Sequence, residues 1–365
     1  MMFNDIYKHK KVLITGHTGF KGSWLTTWLL QLGADVIGIS KDIPTNPSMF
    51  EELGLEANIQ HNLEDICNFE ALHQIINREK PDFIFHLAAQ AIVSTSYSRP
   101  LETISSNVIG TTHILESLRL LNYDCTLLIV TSDKAYDNVE QVWGYKEDDR
   151  MGGKDVYSGS KGAAELVIKA YFNSFFQSSQ SNVRLAVARA GNVIGGGDWA
   201  KDRIIVDAMI AWSKGEKVDI RSPRATRPWQ HVLEPLSGYL TLAQQLQADL
   251  SLNGEGFNFG PRAEQNGTVQ ELLEDSCKYW GLNEKNAFTV TENCIFKESS
   301  LLKLNCDKAL SFLKWTPNLE YNETIKFTNQ WYFSYYNRKQ MFDYTTAQIQ
   351  EYQDAGIEKN LIWTE

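Results

Sequence analysis

A turn punctuated by glycine, Gly16-His17-Thr18-Gly19-Phe20-Lys21-Gly22, constrains this chain more than any other stretch. A short apolar run, Lys11 to Thr15, precedes it and reads as a buried strand ended by Gly16. A run from Gly22 to Gly33 follows, with Trp24, Leu25, Trp28, Leu29 and Leu32 at helical spacing. In such a strand–turn–helix, Gly16 permits the tight turn and Gly19 lets the backbone approach a pyrophosphate. Gly22 lets helix and strand pack closely. The helix N-terminus adds N–H groups and the positive end of its dipole. Ordinary strand–helix turns use glycine too, so the context carries the reading. It predicts a dinucleotide site at Gly16, Thr18, Gly19, Phe20 and Gly22.

The rest of the first half alternates in the same rhythm. Strands are expected at Asp35 to Ser40, Pro81 to Leu87, Cys125 to Val130 and Val183 to Ala188. Helices are expected at Phe69 to Arg78, Val108 to Leu121 and Lys161 to Phe176. Alternation of this kind implies βαβ units with right-handed crossovers, and hence a parallel sheet covered on both faces. The fold class is α/β: a doubly wound, Rossmann-type parallel sheet with a smaller C-terminal α/β substrate domain. Residues 1–188 form the dinucleotide domain, with segments near 232–258 returning to it. Residues 189–365 form the substrate domain and an aromatic, helical tail from Trp331 to Glu365. A length of 365 residues suits two domains.

Composition excludes several classes. A formal net charge of -10 argues against a general nucleic-acid binder. No stretch approaches the roughly 18 apolar residues of a membrane span. The first residues, Met1 to Lys11, lack the apolar core of a signal peptide. Cys67, Cys125, Cys277, Cys294 and Cys306 are scattered and odd in number, as expected of free thiols in a reducing compartment. A cytoplasmic address is expected, with no metal site.

Further cofactor contacts are expected at strand ends. The second strand normally ends in an acid for the adenosine ribose. Here the position is Ser40, followed by Lys41 and Asp42. Asp42 suits NAD, displaced by two residues, whereas Ser40 and Lys41 could accept the phosphate of NADP. Asp65 and Ile66 are placed for the adenine edge. Leu87, Ala88, Ala89 and Gln90 close the third strand with small residues against which a cofactor can lie.

The chemistry lies past the fourth strand. Thr131-Ser132-Asp133-Lys134 packs a hydroxyl, a carboxylate and an amine into consecutive positions, and Tyr157-Ser158-Gly159-Ser160-Lys161 supplies a Tyr-x-x-x-Lys pair. Hydride transfer needs the Tyr and Lys; it has no use for an extra acid and base. A plain surface ion pair competes as an explanation of Asp133 and Lys134. The neighbouring Ser132 and Tyr157 favour catalysis.

These pieces resemble the extended short-chain dehydrogenase/reductases, and within them the sugar-nucleotide 4,6-dehydratases. Two later loops extend the similarity: Arg189-Ala190-Gly191-Asn192-Val193-Ile194-Gly195-Gly196-Gly197-Asp198-Trp199 and Ala225-Thr226-Arg227-Pro228-Trp229-Gln230-His231-Val232. Lys134, where relatives acting on dTDP- and GDP-sugars look like Glu, points to the CDP-glucose branch. The resemblance implies NAD as a bound catalyst that is regenerated each turnover. It implies conversion of CDP-glucose to CDP-4-keto-6-deoxyglucose and water. Tyr157 would be the oxidation base, with its pKa depressed by Lys161, and Ser132 would hold the 4-oxygen. Asp133 and Lys134 would be the acid and base of elimination, both neutral near pH 7. Burial favours that state, and mutual attraction opposes it.

The resemblance also places Asn192, Arg203, Arg227 and His231 around the nucleotide sugar, the guanidinium forks of the arginines matching phosphate oxygens. Solvated loop charges are the competing reading for the arginines. The resemblance further implies a homodimer or homotetramer, through the helices at Val108 to Leu121 and Lys161 to Phe176. A sugar-nucleotide 4-epimerase, a dehydratase for another nucleotide sugar and a non-enzymatic NAD(P)-sensing protein remain as alternatives.

Overall fold

The computed structural model describes residues 1–178, 180–262, 264–291 and 301–365. Its centre is a seven-stranded, wholly parallel sheet. The strands are β1 (Lys11–Thr15), β2 (Asp35–Ser40), β3 (Gln60–Leu63), β4 (Phe83–His86), β5 (Cys125–Val130), β6 (Val183–Ala190) and β7 (Gly256–Phe259). Their order across the sheet is β7-β6-β5-β4-β1-β2-β3. The chain reverses direction of travel between β1 and β4, the position where α/β sheets open a crevice for ligands.

Alternation of side chains splits the core into two layers. Val12 and Ile14 of β1 face one layer, while Leu13 faces the other. The first layer receives Trp24 and Trp28 of α1 (Phe20–Gln31) and Leu236 from a helix at Leu233–Ala248. The second receives Leu72 and Ile76 of α2 (Phe69–Glu79), Ile114 and Leu118 of α3 (Gly110–Arg119) and Ile168 of α4 (Val156–Tyr171). A strand that is apolar on both faces must be covered on both, as observed.

Two strands escaped the pattern read from sequence. Gln60–Leu63 is short and polar because it is an edge strand, pairing only with β2. Gly256–Phe259 joins β6 from far along the chain. Helix boundaries moved as well. The helix expected from Lys161 begins at Val156, because the Asp155 side chain caps it by accepting from Ser158 N at 2.9 Å. The helix expected from Val108 opens in a wide turn at Ser105–Ile109 before becoming regular.

The aromatic tail forms two helices, Tyr321–Tyr336 and Met341–Glu358. The second docks on α1: the Tyr352 ring lies 5.6 Å from Trp28 and stacks on Trp363 at 5.3 Å. Among the described cysteines, Cys125 and Cys277 are buried and Cys67 and Cys306 half-buried, all free; Cys294 lies outside the described residues. Among the described residues no helix is long and apolar enough to cross a membrane.

The glycine turn yields a clean contrast. A Cβ on Gly22 would sit 2.1 Å from Gly16 O and 2.7 Å from His17 Cα, both backbone atoms. A Cβ on Gly19 would meet nothing nearer than 3.4 Å. Gly22→Ala is expected to lower unfolding free energy by about 3 kcal/mol in urea titration. Gly19→Ala is expected to cost about 1 kcal/mol or less, as a change at a helix N-cap.

Candidate active site

Parallel register ends β1, β4, β5 and β6 along one edge of the sheet, and the predicted site residues leave from that edge. Gly16 has φ of 79° and a Cβ there would fall 2.8 Å from Ala88 N. That backbone contact between the ends of β1 and β4 is a cradle that only glycine allows. Gly19 forms the N-cap of α1, and the first turn of α1 opens towards the crevice. These features fit a dinucleotide pyrophosphate, with Gly16, Gly19 and Phe20 at the turn and Ala88 and Ala89 as the floor.

At the far end of the crevice lie Ser40, Lys41 and Asp42. Ser40 is buried, with its hydroxyl 3.0 Å from His17 Nδ1 and accepting from Thr18 N at 3.4 Å. Lys41 is paired with Glu102 at 2.7 Å. Asp42 is exposed, and its carbonyl accepts from Thr18 Oγ1 at 2.7 Å. Asp65 is half-buried and accepts from Cys67 N at 2.8 Å. Ile66 is buried where a Cβ on Gly110 would collide with it.

The Leu87–Gln90 segment carries a contact that sequence reading missed. Gln90 N donates to Asn107 Oδ1 at 2.8 Å, and Asn107 Nδ2 donates to Ser160 Oγ at 2.9 Å. Asn107 is buried and lies in the wide turn at Ser105–Ile109. It ties the cofactor floor to the helix that carries Tyr157 and Lys161. A wide helical turn is the structural signal for such a site, but no local residue pattern announces it.

Just past β5, Ser132 starts a short turn, Asp133–Ala135. The Ser132 hydroxyl accepts from Lys134 N at 3.1 Å and donates to Asp133 Oδ1 at 2.9 Å. Tyr157 and Lys161, one turn apart on α4, are buried beside it. No salt bridge among the described residues joins Asp133 to Lys134; Lys134 is half-buried while Asp133 is buried. Lys134, Asn192 and Arg227 line one cleft together with Asp133 and Leu302. Gly191, Arg262 and Lys303 line an adjoining one, again with Asp133.

Burial dominates the charges here. It raises the Asp133 carboxyl above its ordinary range, although Lys134, Ser132 and Lys21 all pull the other way. It lowers Lys161 to about 8, against the opposing charge of Glu165. It pushes Tyr157 up to about 12, with Asp133 adding to the rise and Ser132 and Arg203 opposing it. This rise runs opposite to the depression expected from Lys161: desolvation of the phenolate outweighs the Arg203 charge and the Ser132 hydrogen bond. Lys21, within the glycine turn, is another residue the sequence reading left without a role. Its amine sits 5.9 Å from the Tyr239 ring centroid, and burial together with the Arg203 charge lowers it to about 8.

Two predicted substrate contacts are placed differently from the others. Arg203 Nη1 is held by Asp198 at 2.7 Å, though its charge still reaches Tyr157. His231 does not line either cleft. Its short strand pairs with Val193–Ile194 and drives it into the core, where its ring meets Trp24 at 5.7 Å and Phe327 at 5.5 Å.

The geometry is that of a dinucleotide crevice with an acid, an amine, a tyrosine and a lysine at its inner end. Residues 13–328 match the family model described as GDP-mannose 4,6 dehydratase. The CDP-glucose 4,6-dehydratase of Salmonella typhimurium is 44% identical over 358 residues, covering 97% of this chain and 99% of that protein. The CDP-paratose 2-epimerase of Salmonella typhi is 26% identical, covering 88% of this chain and 98% of that protein. A dTDP-glucose 4,6-dehydratase from Bacillus anthracis, solved in complex with NAD, superposes with a TM-score of 0.74 at 21% identity. That superposition covers 92% of this chain and 99% of that one. By a match that spans the sheet, the crevice and most of the substrate side, this chain belongs to the GDP-mannose 4,6 dehydratase family.

Proposed function

We propose that this protein is an NAD-dependent lyase that converts CDP-glucose to CDP-4-keto-6-deoxyglucose and water. One observation carries the reading beyond the family: a buried carboxyl and an amine, Asp133 and Lys134, stand beside the hydride pair Tyr157 and Lys161. The CDP-glucose assignment is supported by the 44% identity to a protein of that activity. NAD, when bound, accepts a hydride from sugar C4 and returns it to C6.

The chain's own residues move the protons. Tyr157 takes the proton of the sugar 4-hydroxyl, and Ser132 hydrogen-bonds the 4-oxygen. Lys161 and Arg203 supply the positive charge that the phenolate needs against burial. The resulting ketone acidifies C5, from which Lys134 removes a proton. Asp133, whose carboxyl pKa burial raises, gives its proton to the departing 6-hydroxyl, and water leaves. C5 then recovers a proton from Lys134. Asn192, Arg203 and Arg227 bind the diphosphate, the two guanidiniums as forks for its oxygens.

Gly16, Thr18, Gly19, Phe20 and Gly22 hold the pyrophosphate. Asp42 takes the adenosine ribose, favouring NAD over NADP because Lys41 is neutralised by Glu102. In this reading residues 1–188 bind the dinucleotide and 189–365 mainly the nucleotide sugar. The protein acts as a homodimer or homotetramer through the outer faces of α3 and α4 and the turns adjoining them, supported by exposed Leu166 on α4, Ile109 just before α3 and Phe175 just after α4. A cytoplasmic address fits the free thiols. A sugar-nucleotide 4-epimerase, the second reading, would share Ser132, Tyr157 and Lys161 but gives no role to Asp133 and Lys134.

Incubation with CDP-, dTDP-, GDP- and UDP-hexoses, followed by mass spectrometry, tests the reading. Loss of water from CDP-glucose is expected; loss from GDP-mannose instead would move the substrate and keep the reaction class. Tyr157→Phe is expected to lower kcat by about 10³-fold. Asp133→Asn is expected to lower water loss by a similar factor of about 10²–10⁴ while cofactor reduction persists in a single turnover. Lys161 is cationic only below its pKa of about 8, so kcat/KM should fall as pH rises through that value. A flat profile well above it would contradict the role of Lys161.

A further inference from the structure

We propose that Glu165 and Arg189 form a buried positioning pair that holds the catalytic helix and the wall of the substrate cleft in one fixed relation. The proposal rests on the dehydratase reading for its kinetic consequences. Both side chains are about 5% exposed, at 6% for Arg189 and 5% for Glu165. Their contact is bidentate: Arg189 Nε reaches Glu165 Oε1 at 2.8 Å, and Nη2 reaches Oε2 at 3.0 Å. A buried ion pair is a poor source of net stability, because desolvation offsets the attraction. What it provides is direction, through a planar fork with five fixed donors.

The fork has two arms. On the catalytic side, Glu165 lies one helical turn from Lys161, on the same face of α4. Its Oε1 also accepts from the hydroxyl of Thr131, the residue before Ser132, at 2.5 Å. Glu165 thereby joins the Tyr157–Lys161 helix to the strand end that carries Ser132, Asp133 and Lys134. On the cleft side, Arg189 Nη1 donates to Tyr136 Oη at 2.7 Å and to the Glu147 carbonyl at 3.0 Å. Tyr136 donates onward to Asn258 Oδ1 at 2.8 Å and stacks on Tyr145 at 5.3 Å. Asn258 Nδ2 donates to the carbonyls of Tyr145 at 2.9 Å and Asn305 at 3.0 Å. The backbone of Tyr145 binds Lys303 O and Asn305 N. Leu302, Lys303 and Leu304, held by these bonds, line the cleft opposite Asp133.

Each arm has its own readout. Tyr136→Phe cuts the cleft arm alone. It should raise KM for CDP-glucose about fivefold with kcat within about twofold, and should speed hydrogen exchange at the Tyr145 and Asn305 amides. The double variant Glu165→Met with Arg189→Leu replaces the pair by apolar groups, a change that often leaves stability intact. It should retain a urea midpoint near that of the parent, lower kcat about tenfold and shift the alkaline limb of kcat/KM downward, because Lys161 loses its anion. A double variant that folds and shows parental kcat, KM and pH profile would overturn the proposal. If the double variant does not fold, unchanged KM and unchanged exchange in Tyr136→Phe would overturn it. Exchange needs no substrate, so a parent protein inactive on CDP-glucose would sink the dehydratase reading without silencing this test.

Discussion

The parallel register of neighbouring strands is the constraint on which the site depends. Thr15 stands beside His86, His86 beside Ile129, and Val130 beside Ala188. Four strands therefore release their chains at one edge. Gly16, Leu87 to Gln90, Thr131 to Lys134, and Gly191 with Asn192 all emerge there, although they are separated by up to half the sequence. The close backbone approach of Gly16 to Ala88 then opens the crevice. No single segment could build this arrangement; a sheet apolar on both faces and covered on both holds it rigid.

Charge inside that rigid edge is managed by geometry more than by pairing. Asp133 is buried with its carboxylate hydrogen-bonded to the Ser132 hydroxyl, and burial raises its carboxyl pKa although Lys134 and Lys21 pull it down. Lys161 and Lys21 are amines pushed towards neutrality by the same desolvation. Tyr157 is the cost of the design: its phenolate is disfavoured by burial, with the Arg203 charge and the Ser132 hydrogen bond acting against that rise. Among the described residues, the Glu165–Arg189 pair beneath the site is the one salt bridge with both side chains buried.

Much of this was legible in the sequence where residue chemistry is local. The glycine turn, the apolar strands and the Tyr-x-x-x-Lys pair each carry their own signature, and the structure has strands at each run read as one. Gln60–Leu63 was not legible, because a polar edge strand has no periodic apolar signal. Asn107 was not legible either, since its role comes from two contacts across the fold. His231 shows the opposite failure: a polar residue beside a site motif reads as a ligand, yet two-residue pairing with Val193–Ile194 turns it into the core. The direction of the Tyr157 shift depended on burial, which no neighbour in sequence reveals.

The central claim is that one site oxidises C4, eliminates water across C5 and C6, and reduces C6 with the same hydride. The most direct measurement follows CDP-glucose carrying deuterium at C4 through a single turnover, with the product analysed by mass spectrometry and NMR. The account predicts loss of one water and deuterium at C6 of a 4-keto-6-deoxy product. Deuterium returned to C4 of an unchanged or epimerised hexose, with no water lost, would contradict it.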